Sequence, residues 1–111
     1  KQALKLEEAI RKLTSLPADV FGLTGRGRIA AGCPADILIF DPDTVGAGKL
    51  RRVTDLPGGE ERLVSQANGI DAVIVNGIIL REDNVDATFE ETDLPGTLLR
   101  NGVDPKWTTI L

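Results

Sequence analysis

The dipeptide Asn76-Gly77 stands between two apolar runs, Ala72-Val73-Ile74-Val75 and Ile78-Ile79-Leu80, and it limits the folds open to this chain more than any other feature. Asparagine and glycine are the residues best able to adopt the two positive φ values of a two-residue type I′ turn, whose twist matches that of paired strands. A connection this short joins antiparallel neighbours. The chain is therefore expected to contain an antiparallel hairpin at residues 72–80, in a small and mostly antiparallel β assembly.

A second organising stretch runs from Thr24 to Val45. Four consecutive apolar residues, Ile37 to Phe40, lie between Asp36 and Asp41-Pro42, a pattern that predicts a short central strand buried on both faces. The glycine-punctuated half before it contains one apolar step, Ile29-Ala30-Ala31, which predicts another short strand. Upstream, Leu6, Ala9, Ile10 and Leu13 recur at helical spacing, with Lys5, Glu8, Arg11 and Lys12 on the other side. Residues 3–15 are thus expected to form an amphipathic helix, with Glu7 and Arg11 as an i,i+4 pair contributing about 0.3 kcal/mol. Pro17 is expected to end it and to open a second short helix closed by Gly22. Residues 46–69 are the least legible: Pro57-Gly58-Gly59 predicts a reversal and residues 62–65 a strand. Residues 82–97 are acidic and turn-rich, and Trp107 is the one large side chain able to dock the tail.

Size and composition exclude several classes. A chain of 111 residues is one domain at most. With three Phe, one Trp and no Tyr, its core must be aliphatic and thin. Thirteen scattered basic residues against seventeen acidic ones give a net charge of −4, which does not support a nucleic-acid surface. The one cysteine, Cys33, excludes an internal disulfide framework and fits a reducing, cytoplasmic compartment. No apolar stretch has the length of a membrane span or the character of a signal peptide core. The chain begins at Lys1, without Met, inside a helical pattern, and is expected to be a fragment of a longer protein.

The run Leu16-Pro17-Ala18, Phe21-Gly22-Leu23, Arg26-Gly27-Arg28-Ile29, Gly32, Ala35-Asp36-Ile37 and Phe40-Asp41-Pro42 resembles the carboxy-terminal signature of the amidohydrolase superfamily. Within it, the likeness is greatest to the D-aminoacylases, the N-acyl-D-amino-acid deacylases. Gly69-Ile70-Asp71-Ala72-Val73-Ile74-Val75-Asn76-Gly77 and Leu94-Pro95-Gly96-Thr97-Leu98-Leu99-Arg100 extend the resemblance to roughly residues 3–102. It implies that residues 1–23 are a helical linker from a TIM barrel, residues 24–102 the later share of a composite β-sandwich, and residues 103–111 a tail. The partners would be the barrel and amino-terminal strands of the same polypeptide. Two rivals are a fragment of a dihydroorotase- or hydantoinase-like amidohydrolase, whose Ala-Asp-Ile and Val-Asn-Gly patterns are similar, and a free-standing β domain that binds through an exposed edge.

The resembled superfamily hydrolyses amides with a metal-bound hydroxide, and zinc takes imidazole, thiolate and carboxylate ligands. This chain has no histidine and one cysteine. No catalytic, cofactor-binding or metal-binding residue is therefore assigned here, and the zinc is expected elsewhere in the parent. Cys33 lacks the base a nucleophile needs. Asp41, Asp43 and Gly46 suit a calcium loop, but Val45 and Arg52 fall where oxygen ligands are required. Asp36 and Asp41 are instead expected to accept from backbone amides at strand ends. Gly25-Arg26-Gly27-Arg28 has Ala30 where a dinucleotide loop needs glycine and precedes a strand rather than a helix, so Arg26 and Arg28 are expected in salt bridges or at helix-end carbonyls. Acid–base pairs need enclosure, whereas Glu60-Glu61 and Glu90, Glu91 and Asp93 lie in polar, turn-rich runs, so a solvated face is expected there. The stripe Leu6, Ile10, Leu13 either packs on the chain's own sheet or docks on the barrel, and self-association is expected if it is left uncovered.

Overall fold

The computed structural model describes residues 3–90 and 93–100. The helix α1 spans Leu6–Leu13, with Glu7 and Glu8 in its first turn and Arg11 and Lys12 in its last, the order that the helix dipole favours. Its ion pair joins Glu8 and Lys12 at 3.5 Å, one position along from the expected Glu7–Arg11 pair. Thr14, with φ −127° and ψ −86°, interrupts the helix, and its hydroxyl donates to the Ile10 carbonyl at 2.7 Å.

The second helix, α2, spans Ser15–Val20. Pro17 is its third residue rather than its first. That correction has a simple cause: the first four helical N–H groups have no intrahelical acceptor, so a residue lacking one fits anywhere in that turn. At the other end Gly22 adopts φ 65°, Leu23 N–H donates to Ala18 C=O at 2.8 Å and Gly22 N–H to Asp19 C=O at 3.2 Å. This is a Schellman motif, and it closes α2 where the sequence placed glycine.

The strands are β1 (Ile37–Phe40), β2 (Gly46–Ala47), β3 (Arg51–Val53), β4 (Arg62–Val64), β5 (Ala67–Asn68), β6 (Ile70–Val75), β7 (Ile78–Glu82) and β8 (Val85–Asp86). The main sheet has the order β1-β6-β7-β8. The hairpin predicted at Asn76-Gly77 joins β6 to β7, with φ 49° and 78° at the two turn residues. A second hairpin joins β7 to β8 through Asp83 and Asn84, at φ 49° and 64°. Residues 46–69 form a two-stranded arm: β2 pairs antiparallel with β5, β3 with β4, and a 3₁₀ turn at Pro57–Gly59 reverses the chain.

Two expectations about the stretch from Thr24 to Val45 are corrected. Ile29-Ala30-Ala31 is not a strand, and Ile29 is 86% exposed. Three residues without a pairing partner gain no ladder bonds, and Gly32 at φ 83° turns the chain immediately afterwards. The strand Ile37–Phe40 forms as predicted, but at the edge of the sheet instead of its centre. Leu38 and Ile39, on opposite faces, are 53% and 47% exposed. An unbroken apolar run reports what a strand could bury on each face, whereas burial itself needs material on both.

The described chain divides into two compact units. One contains the described residues up to Ile37, the hairpin tip Val75–Ile78 and the described residues from Phe89. The other contains Leu38–Ile74 and Ile79–Thr88. Among the described residues, the buried apolar ones are two alanines, Ala18 in the first unit and Ala72 in the second. The helix stripe is open, with Leu6, Ile10 and Leu13 at 45%, 36% and 76% exposure. Glu91 and the tail, with Trp107, lie outside the described residues.

Gly69, at φ 66°, turns the chain between β5 and β6 where a Cβ would lie 2.5 Å from the Val45 nitrogen and 2.7 Å from the Thr44 carbonyl carbon. Gly77 shares the positive φ but faces open space. Gly69→Ala is therefore expected to destabilise by about 2 kcal/mol or more, Gly77→Ala by about 1 to 2, and Gly46→Ala, which meets nothing within 4 Å, by under about 0.5. Urea titrations followed by far-ultraviolet circular dichroism would measure the order.

Candidate functional site

The residues that carry sequence information meet in one polar junction within the first unit. Asp36 ends the loop ahead of β1. Its Oδ2 accepts from Arg26 Nη1 in an ion pair, and its Oδ1 accepts from the backbone N–H of Asn76 at 2.9 Å. Gly77 N–H donates to Ala35 C=O at 3.0 Å. The Asn76 side chain then reaches onward: Nδ2 donates to Pro95 C=O at 2.6 Å and lies 3.5 Å from Thr97 Oγ1. Four segments separated by up to 71 positions, at residues 26, 35–36, 76–77 and 95–97, are fastened together.

Each part has a local cause. Asn76 and Gly77 supply the positive φ of the turn, which turns the tip's N–H groups toward Ala35 and Asp36. Gly27, at φ 72°, lets the loop carrying Arg26 approach the break between the helices, where a Cβ would sit 2.6 Å from the Thr14 carbonyl oxygen. The Arg26 side chain is 12% exposed and that of Asp36 36%. The Arg26 Nε is buried without a hydrogen-bond partner among the described residues, so the Asp36 carboxylate carries most of the compensation for burying this guanidinium.

Elsewhere the charged residues serve local structure. Arg28 pairs with Asp19 at 2.6 Å, so both arginines of the Gly25–Arg28 loop make salt bridges. Asp41 accepts from Asp43 N–H at 2.9 Å and from Thr44 Oγ1 at 2.8 Å, while Val45 N–H bonds the Asp41 carbonyl at 2.9 Å. This is a capped turn after β1. Arg52, at a position a calcium loop would give to a ligand, pairs with Glu61 at 2.9 Å. Arg62 holds Asp55 through two bonds of 2.6 and 2.8 Å across the arm's turn. Cys33 is half-buried and lines a recess of about 90 Å³ with Arg28, Pro34 and Ile37.

A further recess of about 130 Å³ lies beside the junction, lined by Leu23, Thr24, Arg26 and residues 97–100. It contains no pair of groups suited to acid and base work. The described residues contain no group of three or more His, Cys, Asp or Glu side chains placed to hold a metal ion. No helix of the described residues is long and apolar enough to cross a membrane.

A family model described as the amidohydrolase family matches residues 1–81. The chain belongs to the amidohydrolase family. It is 45% identical over 76 residues to the N-acyl-D-glutamate deacylase of Alcaligenes xylosoxydans xylosoxydans, which covers 68% of this chain and 14% of that protein. Against the D-aminoacylase of the same organism the identity is 42% over 72 residues, 65% of this chain and 13% of the relative. A shorter match, 54% over 37 residues, joins 32% of the chain to 9% of the dihydroorotase of Halobacterium salinarum. No solved structure matches. The chain thus spans about one seventh of the length of the deacylases it resembles. The family implies a metal in the longer protein, and the residues present here do not fit one: imidazole is absent from the sequence and thiol is single.

Two consequences can be measured. Asp36→Ala leaves a mostly buried guanidinium without its acceptor and the Asn76 N–H unpaired, so it is expected to cost about 3 kcal/mol, with Asp36→Asn milder because one oxygen remains. Paired urea titrations of the two variants would show this. The second concerns acid. Asp41 is held below the usual carboxylate pKa chiefly by the Asp43 N–H and then the Thr44 hydroxyl, Asp19 by its hydrogen bond from Arg28, and Asp55 by Arg62. Their folded pKa values lie below the unfolded value of about 3.9. Their contribution is thus complete above about pH 4 and is lost as pH falls through the folded values. Carboxyl-carbon NMR titration should place all three midpoints below 3.9, and high salt should move Asp19 and Asp55 back upward more than Asp41, whose partners are uncharged.

Proposed function

We propose that this chain is the carboxy-terminal share of an amidohydrolase of the N-acyl-D-amino-acid deacylase kind, and that its own work is structural. The longer protein would hydrolyse the amide of an N-acyl-D-amino acid with zinc-activated water, in the cytoplasm. The metal ligands and the general base would lie on residues outside this chain. The observation that carries the reading is the junction itself: the motif residues Arg26, Asp36 and Asn76-Gly77, with the Leu94–Arg100 segment, are spent on fastening backbone together, and the sequence supplies no imidazole. The one carboxylate in this set, Asp36, already accepts from Arg26 and from the Asn76 N–H, which favours a fastening role over acid–base work.

The same reading gives the uncovered apolar side chains a use. Leu38 and Ile39 on the edge strand would be covered by the amino-terminal strands of the same polypeptide, and Leu6, Ile10 and Leu13 would dock on its barrel; without these, the stripe is a surface for self-association. The deacylase matches favour a D-amino-acid derivative as substrate over a cyclic amide, because each covers about two thirds of the chain and the dihydroorotase match about one third.

The test is hydrolysis of N-acetyl-D-glutamate and related N-acetyl-D-amino acids by the purified 111-residue chain, with zinc added and metal content measured. Neither turnover nor a stoichiometric metal is expected. Turnover by the pure chain would defeat the structural reading, as would retention of one tightly held zinc per chain after dialysis.

A further inference from the structure

Asparagine followed by glycine is the sequence most prone to spontaneous deamidation, because glycine leaves the following amide nitrogen unhindered. Asn76-Gly77 is such a pair, and the junction restrains both of its reacting groups. The attacking nitrogen would be Gly77 N, whose N–H is donated to Ala35 C=O at 3.0 Å. The leaving group would be Asn76 Nδ2, which is held on Pro95 C=O at 2.6 Å. The pair is pinned a third time, through the Asn76 N–H on Asp36 Oδ1 at 2.9 Å.

The structure assigns Asn76 as a latent modification site: the closed junction protects it, opening the junction commits it to deamidation, and the product prevents proper closure. In the open form hydroxide removes the Gly77 amide proton and the nitrogen attacks Asn76 Cγ. The N–Cγ bond forms, the Cγ–Nδ2 bond breaks, and the nitrogen leaves as ammonia after taking a proton from water. Water then opens the resulting succinimide at either carbonyl, giving aspartate or isoaspartate at position 76. No oxidant or enzyme is required.

The consequence follows from donor and acceptor types. The amide Nδ2–H that fastened the Pro95 carbonyl is replaced by a carboxylate, which has no proton to give at neutral pH. Two acceptors then face each other where a 2.6 Å bond stood, and a second negative charge is added beside Asp36. Isoaspartate also lengthens the backbone inside a two-residue turn, where the register of β6 and β7 is set. Loss of the 95–97 attachment would thus become permanent, and the chain would carry a chemical record of having opened. This inference rests on hydrogen bonds within one unit and stands independently of the activity proposed above.

The experiment is incubation of the 111-residue chain in mildly alkaline buffer with and without urea, followed by peptide mapping of aspartate and isoaspartate at positions 76 and 68. Asn68-Gly69 is the internal reference. Because conversion requires opening, the native rate at position 76 is expected to be at least about tenfold below the rate in urea. Asp36→Ala should raise the native rate at position 76 relative to position 68. Independently, Asn76→Asp should lower the urea midpoint. Equal rates at position 76 in buffer and in urea would overturn the protection, and an Asn76→Asp variant as stable as the parent would overturn the block to closure.

Discussion

One carboxylate sets the geometry of the first unit. Asp36 sits where the chain passes from loop to strand β1, and its two oxygens serve a guanidinium on one side and the backbone of a hairpin tip on the other. A type I′ turn leaves N–H groups at its tip that no strand partner can satisfy, and buried or half-buried donors of this kind are costly when unpaired. Ala35 and Asp36 take up those of Asn76 and Gly77. With the tip fixed, the Asn76 side chain is in place to hold the segment at Pro95.

Such polar fastening matters more here than in most domains because the apolar contribution is small. Two alanines are the buried apolar residues among those described, while Leu38, Ile39, Leu63, Val85 and the α1 stripe remain substantially open. Apolar area left in water contributes nothing to folding. The exposed ion pairs on the arm and on α1 add little, because solvent screens them. The Arg26–Asp36 pair differs in kind, since the arginine is largely removed from water and would be left uncompensated without it. The chain belongs to the amidohydrolase family and spans about one seventh of the length of its deacylase relatives.

Much of this is legible in the sequence. The α1 helix, the β6–β7 hairpin, the reversal at Pro57–Gly59 and the strand Ile37–Phe40 all follow from local rules of periodicity and turn chemistry. The β7–β8 hairpin carries a weaker signal in Asp83-Asn84: after glycine, these residue types tolerate positive φ best, but no glycine marks the turn. The arm at residues 46–69 was obscure because its strands are two and three residues long, too short for any alternation to register.

What the amino-acid sequence determined by itself is the set of local conformations and the inventory of side chains: φ signs at Asn76 and Gly77, the closure of α2 at Gly22, and a composition without histidine. Tertiary structure alone decided that Ile37–Phe40 lies at an edge, that Arg26 chooses Asp36 while Arg28 chooses Asp19, and that Asn76 reaches Pro95. The division has a physical reason. Dihedral preference and side-chain chemistry belong to neighbouring residues, whereas burial and hydrogen-bond partnership depend on which distant segment arrives, and a chain holding several arginines and many aspartates does not say in advance which two will meet.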